Sequence, residues 1–448
     1  MSLFNTLATG ASGLSATGAG LAVIGDNIAN MNTNGYKKGR AQFEDMLPQV
    51  MGTRNGISMM GRGVSVGGIG VMHLGGALKP SSSALDMAIS GTGFFEVSDG
   101  ENFSYTRDGS FHVDKNNFLV NNQGLRVQGY GVVDGTVVTQ VNDLQLDLGP
   151  IEQNETTEMT LDATLSAEAE YLTATGSVST PYAGLTLDGT AAGASIKEAS
   201  DAADYSTSVT VYDSLGLPRD VTVFFERTGT NTWSWSAVTD GGEIEGATVP
   251  DDEGQALEIS RGTLEFDGDG ELVNMTEAAT GTAWNWPGAD PFSFNLQMGL
   301  DPVSGDPIDG QVKMVGGDSF TTTIAQDGYP LSNITNVQVD RDGSIMASYY
   351  NGEQRKLGQV GIAIFPSQDG LQRAGGNLFV PTRDSGTSAL GPAGKGGRGD
   401  VVGYATEGSN VDMEEEFVGM IQTQRTYQAN AGVIRSSDSS LQVLVNLV

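Results

Sequence analysis

The chain has 448 residues, enough for two or three domains with hydrophobic cores of their own. Its formal charge of −32, from 55 acidic against 23 basic residues, leaves no basic face for a nucleic-acid partner. With no cysteine, disulfides, thiol chemistry and cysteine-based metal sites are excluded.

The chain opens on a helix pattern. Phe4, Leu7, Ala11, Leu14, Gly18, Leu21, Gly25 and Ile28 follow in unbroken steps of three and four residues, one apolar seam of coiled-coil type. Gly10, Gly13, Gly18, Gly20 and Gly25 lie inside it, and each interior glycine costs roughly 1 kcal/mol relative to alanine. This segment is therefore expected to be marginally helical alone and to order when neighbouring copies bury it, the glycines giving close backbone approach. No stretch is expected to reach the ~18 apolar residues of a membrane span, and no membrane insertion is expected. The first basic residue is Lys37, so the N-terminus does not read as a cleavable secretory signal.

Residues 31–80, rich in Gly, Met and Asn, read as an extended connector with little core. The basic cluster Lys37, Lys38 and Arg40 reads as solvated. From residue 81 the pattern turns to short strands, at 94–97, 104–106, 110–113 and 118–120, separated by the turn signals Asp99-Gly100, Asp108-Gly109 and Asn116-Asn117. A similar hairpin returns at 339–345. Two such hairpins more than 200 residues apart predict one inner β domain built from 81–149 and 318–409, with an outer β domain inserted at 150–317.

The insert is acidic: residues 143–318 hold 32 acidic and 5 basic side chains, which reads as a solvated surface that resists aggregation. Alternation at 208–213 and 221–226, around the turn at 214–218, and again at 232–236 and 262–266, predicts a β-sandwich or barrel-like module. Beyond it, 357–365 and 377–380 complete the inner domain. A Gly-rich loop at 391–400 then leads to Ser409-Asn410, read as the N-cap pair of a last helix with Asp412, Glu414 and Glu415 in its first turn.

In that helix Met413, Phe417, Met420, Gln424, Tyr427, Ala431, Ile434, Asp438, Leu441, Val445 and Val448 continue a seven-residue repeat to the last residue. Residues 1–30 and 410–448 are expected to pair as a helical polymerisation core. The fold class is thus mixed: terminal α-helices pairing as a coiled-coil-like core, with mainly-β inner and outer domains nested by insertion.

Short motifs offer no chemistry. Asp267-Gly268-Asp269-Gly270-Glu271 lacks the ligand ladder of an EF-hand and reads as a hairpin turn. Gly394-Lys395-Gly396 lacks the hydroxyl residue and following helix of a phosphate loop. Arg398-Gly399-Asp400 spells an adhesion tripeptide within a loop that joins domains. His73 and His112 have no companions at metal-ligand spacing, and no catalytic, cofactor or metal residue is predicted.

Three stretches carry a resemblance. The run Asp26-Asn27-Ile28-Ala29-Asn30-Met31-Asn32-Thr33-Asn34-Gly35-Tyr36-Lys37 resembles the N-terminal signature of the bacterial flagellar rod and hook proteins. Glu415-Glu416-Phe417, Met420-Ile421 and Gln424-Arg425 through Tyr427-Gln428-Ala429-Asn430 are similar to their C-terminal signature. Leu85-Asp86-Met87-Ala88-Ile89-Ser90-Gly91-Thr92-Gly93-Phe94-Phe95, with Tyr105-Thr106-Arg107-Asp108-Gly109-Ser110-Phe111, resembles their first β region.

The resemblance implies a structural, non-enzymatic subunit of the flagellar hook that polymerises into a curved tube and passes torque from motor to filament. The implied place is the flagellum outside the cell, reached through the flagellar export apparatus without a cleaved signal. The implied partners are further copies of itself and the rod, hook-cap and hook–filament junction proteins. Residues expected at subunit contacts are Phe4, Leu7, Leu14, Leu21, Ile28, Asn27, Asn30, Asn32, Gly35 and Tyr36 at one end. At the other they are Phe417, Met420, Tyr427, Ile434, Leu441 and Val445. Rival readings are the distal rod protein, which would not need the insert, and a secreted β-rich adhesin or binding module.

Overall fold

The computed structural model describes residues 3–53, 56–133, 135–169, 194–244, 254–279, 286–293, 295–301 and 306–446. Among them are three α-helices, α1 (Leu3–Ala29), α2 (Ile196–Ala202) and α3 (Met413–Asn446), and many short strands. The chain divides into two compact units, Met1–Gly149 with Ile334–Val448, and Pro150–Asn333.

In the first unit α1 and α3 pack along each other. After α1 the strand Gly39–Asp45 pairs antiparallel with Val64–Val71, a two-stranded ribbon whose tip holds a further hairpin, Gln49–Thr53 with Gly56–Met60. The main sheet interleaves strands from both halves of the chain. Gln354–Ile364 lies against Arg126–Val133, with Gly129 opposite Val360, and against Phe94–Ser98, with Phe95 opposite Ile362. Its apolar side buries Phe94, Tyr105, Ala363, Phe365, Leu371 and Phe379. Long-range pairing of this kind carries a loop-closure cost that short-range hairpins do not, and it ties the two halves of the chain into one sheet. The connector's last strand, Leu78–Pro80, pairs with Ala405–Glu407 just before α3.

The second unit holds a five-stranded antiparallel meander, from Tyr205–Tyr212 through Pro218–Arg227, Thr232–Asp240 and Ala256–Phe266 to Leu272–Ala279. A second sheet is centred on Glu158–Ser166. One apolar cluster joins the two: Val221, Val223, Phe225, Trp233 and Trp235 from the first meet Met159, Leu161 and Leu165 from the second. This is the sandwich that the alternating strands imply. On the meander's other face Ala199 of α2 packs on Phe224 and Val238, and a capping box between Ser195 and Glu198 starts the helix. The 267–271 segment is a hairpin turn, in which the Asp267 carboxylate accepts from the amides of Asp269 and Glu271, each at 2.9 Å.

One boundary differs from the sequence reading. Residues 318–333 were assigned to the inner domain, but Phe320–Gln326 runs along Glu158–Ser166 from Thr164 to Met159. The Asp327 carboxylate then accepts from the amides of Thr157 at 2.8 Å and Glu158 at 3.0 Å, and Ser332 bridges Ile151. The insert therefore ends at Asn333, not 317. Its last strand is polar and its partner lies about 160 residues upstream, so neither periodicity nor neighbouring turns mark it.

Candidate assembly interface

Helix α1 is formed in the single chain, against the expectation that it needs neighbouring copies, because its glycines let α3 approach. A Cβ at Gly10 would stand 3.0 Å from Cγ1 of Ile434, one at Gly13 2.8 Å from the Asn430 amide, and one at Gly20 3.7 Å from Thr423. Further on, Ile24 touches the position of Gly419, and Asn27 donates to the Glu416 carboxylate at 3.2 Å. Steps of three, seven, four and three residues on α1 are answered by four, seven, four and three backward on α3, an antiparallel pair in constant register. Ala16 and Asn27 complete the buried face, at 3% and 2% exposure.

This is not the seam predicted from the sequence. Leu7, Leu14, Leu21 and Ile28 are only half-buried, Ala11 is exposed, and Gly18 and Gly25 have no atom within 4 Å of where a Cβ would stand. The heptad column Leu14, Leu21, Ile28 sits one residue, about 100° of helix, from the column Gly13, Gly20, Asn27 that meets α3. Both columns have the same period, so spacing alone does not choose between them, and close approach favours the smaller side chains.

The correction extends to α3. Ile434 belongs to the intrachain contact, Met420 and Leu441 are half-buried, and Phe417 and Tyr427 are exposed at 46% and 41%. Gln424 and Asp438, the polar members of that seven-residue repeat, are also exposed. The side chains of Phe4, Val445 and Val448 lie outside the described residues. By length and composition Asn5–Ala29 is apolar enough to cross a membrane, which the sequence reading did not expect. One face of it lies on α3 and the leucine stripe is left over. Beside the pair an open groove of about 940 Å³, lined by Ala16, Val23, Phe43, Val64 and Thr426, separates it from the ribbon.

Where α1 ends, the polar signature residues tie a knot. Asn27 donates to Gly39 O at 2.9 Å and to Glu416, and its Oδ1 accepts from Gly39 N at 2.8 Å and Tyr36 OH at 3.3 Å, so the buried amide is fully used. Tyr36 OH also donates to Asp26 at 3.0 Å, and the Arg373 guanidinium lies 5.0 Å over the Tyr36 ring. Burial holds the Tyr36 phenol above its usual range. Asn30 stays local, bonding Asp26, and Asn32 is exposed. Gly35 has φ +68°, its amide donates to Glu407 O at 2.7 Å, and a Cβ there would stand 2.5 Å from Asp108 N. Only glycine fits this position.

Lys37, read as solvated, is fully buried in an ionic triad. Its ammonium donates to the Glu407 carboxylate and to Leu74 O at 2.8 Å, and Arg107 donates to the other Glu407 oxygen at 3.2 Å. Burial pulls Lys37 and Arg107 below their usual basicity while Glu407 pulls both back. Glu407 and Arg107 join segments 300 residues apart, and the isolated glutamate of Ala405-Thr406-Glu407 carries no local signal of its partners.

Asn410, read as an N-cap, instead accepts from Lys38 N at 2.6 Å and donates to Met72 O at 2.8 Å. Asp412 caps α3, accepting from Glu414 N at 2.9 Å and Glu415 N at 3.1 Å. The Arg398 guanidinium of the Arg-Gly-Asp loop donates to the carbonyls of Ile362, Lys395 and Ala389, a role internal to the fold.

Comparison with known proteins follows the same layout. Family models match in chain order: flagella basal body rod protein at 7–37, the flagellar hook protein FlgE/F/G D1 domain at 88–180, the flagellar basal body protein FlaE D2 domain at 186–329, and the flagellar basal body rod FlgEFG protein C-terminal at 402–447. The flagellar hook protein FlgE of Escherichia coli is 33% identical over 97% of this chain and 98% of its own. That of Borreliella burgdorferi is 32% identical over 99% and 100%. The crystal structure of Helicobacter pylori flagellar hook protein FlgE2 is 14% identical and aligns over 72% of this chain and 98% of its own, with a TM-score of 0.49.

Proposed function

The chain belongs to the flagellar hook protein family and is a structural subunit of the bacterial flagellar hook, and from that premise we propose how it assembles. Each subunit closes its own helix pair through the Gly10, Gly13, Gly20 face, and offers the Leu7, Leu14, Leu21, Ile28 stripe with Phe417 and Tyr427 to neighbours. Head-to-tail contacts whose rotation does not close into a ring grow a helical tube. The helices form its inner wall, and the Pro150–Asn333 unit is a second compact body. Where lateral contacts between such bodies slide while the helical wall holds, the tube bends and turns at once and passes torque from rod to filament.

The observation that carries this reading is the division of α1 into a glycine face packed on α3 and a leucine column left only partly buried, beside the exposed Phe417 and Tyr427 of α3. Hook relatives align over nearly the whole chain, insert included, which disfavours the rod and secreted-module readings. Rod, hook-cap and junction proteins are the expected partners at the tube's ends, and the export channel the expected route, without signal cleavage.

The test is electron microscopy of the full-length chain concentrated in high salt, beside a chain trimmed of residues 1–20 and 424–448 that keeps the Asn27–Glu416 bond. Curved tubes from the full-length chain alone are expected. Tubes from both would remove the terminal helices from the mechanism.

A further inference from the structure

We propose that His73 is an acid-sensitive latch on the joint between the helix pair and the inner β fold. Its ring stands edge-on to Phe94 at 5.7 Å and tilted against Phe379 at 5.4 Å. Both ring nitrogens are buried and, among the described residues, have no hydrogen-bond partner. An imidazole seated this way is stable only while neutral.

The charged groups that face it are mostly of the wrong sign for a proton. Lys37, Arg107 and Arg373 act on it as cations, against the carboxylate of Asp369. Glu407 is already held by Lys37, by Arg107 and by the amide of Gly76 at 2.8 Å. A proton on His73 would add a fourth cation to this shell.

The consequence is transmitted through the peptide groups on either side. Leu74 O receives Lys37 Nζ at 2.8 Å and Asn410 at 3.2 Å, and Met72 O receives Asn410 at 2.8 Å. Displacing His73 moves the carbonyls that seat Asn410, and Asn410, three residues before the start of α3, in turn holds Lys38. Burial holds the His73 imidazole down to about 4, from an ordinary 6.5. The folded state therefore takes its proton later than the opened state, and the latch weakens as pH falls from about 6.5 and is lost through about 4.

The chain has two histidines, and His73→Phe leaves one, so the His73 ring signals are assigned by difference. In the full-length monomer, an NMR titration of the ring protons is expected to give a midpoint below 5 for His73. Amide exchange at Lys38 and Asn410, corrected for its intrinsic pH dependence, is expected to rise about tenfold or more between pH 6.5 and 4.5. In His73→Phe that rise should vanish, and His73→Met provides the same comparison if the phenylalanine does not seat. A His73 midpoint near the ordinary 6.5, or loosening of the variant at the same pH as the parent, would overturn the proposal.

Discussion

The knot below α1 and the helix pair above it are built in opposite ways. The knot joins residues up to 389 positions apart through Asn27, Gly35, Lys37, Arg107, Glu407 and Glu416, held by a dense set of polar bonds and little of it exposed. The helix pair is held by close approach at glycines, uses few polar bonds, leaves Phe417, Val418, Ile421 and Tyr427 of α3 in solvent and only partly buries the leucines of α1. A fixed joint belongs where geometry must not change; a helix with an unused apolar face belongs where a neighbour has still to arrive. The residues that look most like an interface in the sequence are thus split between the two, the Asn and Gly signature closing the chain on itself and the leucine stripe left partly buried beside the exposed apolar face of α3.

The difference should appear first at Glu407. Glu407→Gln leaves Lys37 and Arg107 buried without a counter-charge, which costs about 3 kcal/mol or more. All four tryptophans lie in the 150–333 insert, so fluorescence reports that unit alone. The expected result is a urea transition in far-UV circular dichroism that moves to lower concentration for the first unit, with the fluorescence transition unmoved. A coincident shift of both would mean that the units unfold together. Gly35→Ala should act in the same direction by about 2 kcal/mol or more, since it forces an L side chain to φ +68° against the backbone of Asp108. An unchanged transition would show that the turn relaxes elsewhere.

Much of this layout was legible in the sequence. Seven-residue periodicity marks both terminal helices, and Asp-Gly and Asn-Asn turns mark the hairpins, because these signals act over a few residues. Which face of α1 meets α3 was not legible, since Gly13 and Leu14 begin columns of equal period and the choice depends on the depth of approach. Glu407, Arg373 and the true partner of Asn410 were missed for another reason: each acts on a segment hundreds of residues away, and no spacing records that. The strand Phe320–Gln326 was misassigned because its polar side chains resemble a loop until its partner Glu158–Ser166 is known.

The most direct test sets two neighbouring residues of α1 against each other. Leu14→Asp and Gly13→Leu are compared by amide exchange in α3 of the monomer and by electron microscopy of the concentrated protein. Leu14→Asp, at a partly buried site one column away from the Gly13–Asn430 contact, is expected to keep more of the monomer's protection around Asn430 and Ile434 than Gly13→Leu does, and to form no tubes. Gly13→Leu, whose Cβ alone would stand 2.8 Å from the Asn430 amide, is expected to lose that protection in the monomer. Tubes at normal yield from Leu14→Asp, or equal loss of α3 protection in both variants, would contradict the division of α1 into an inner and an assembling face.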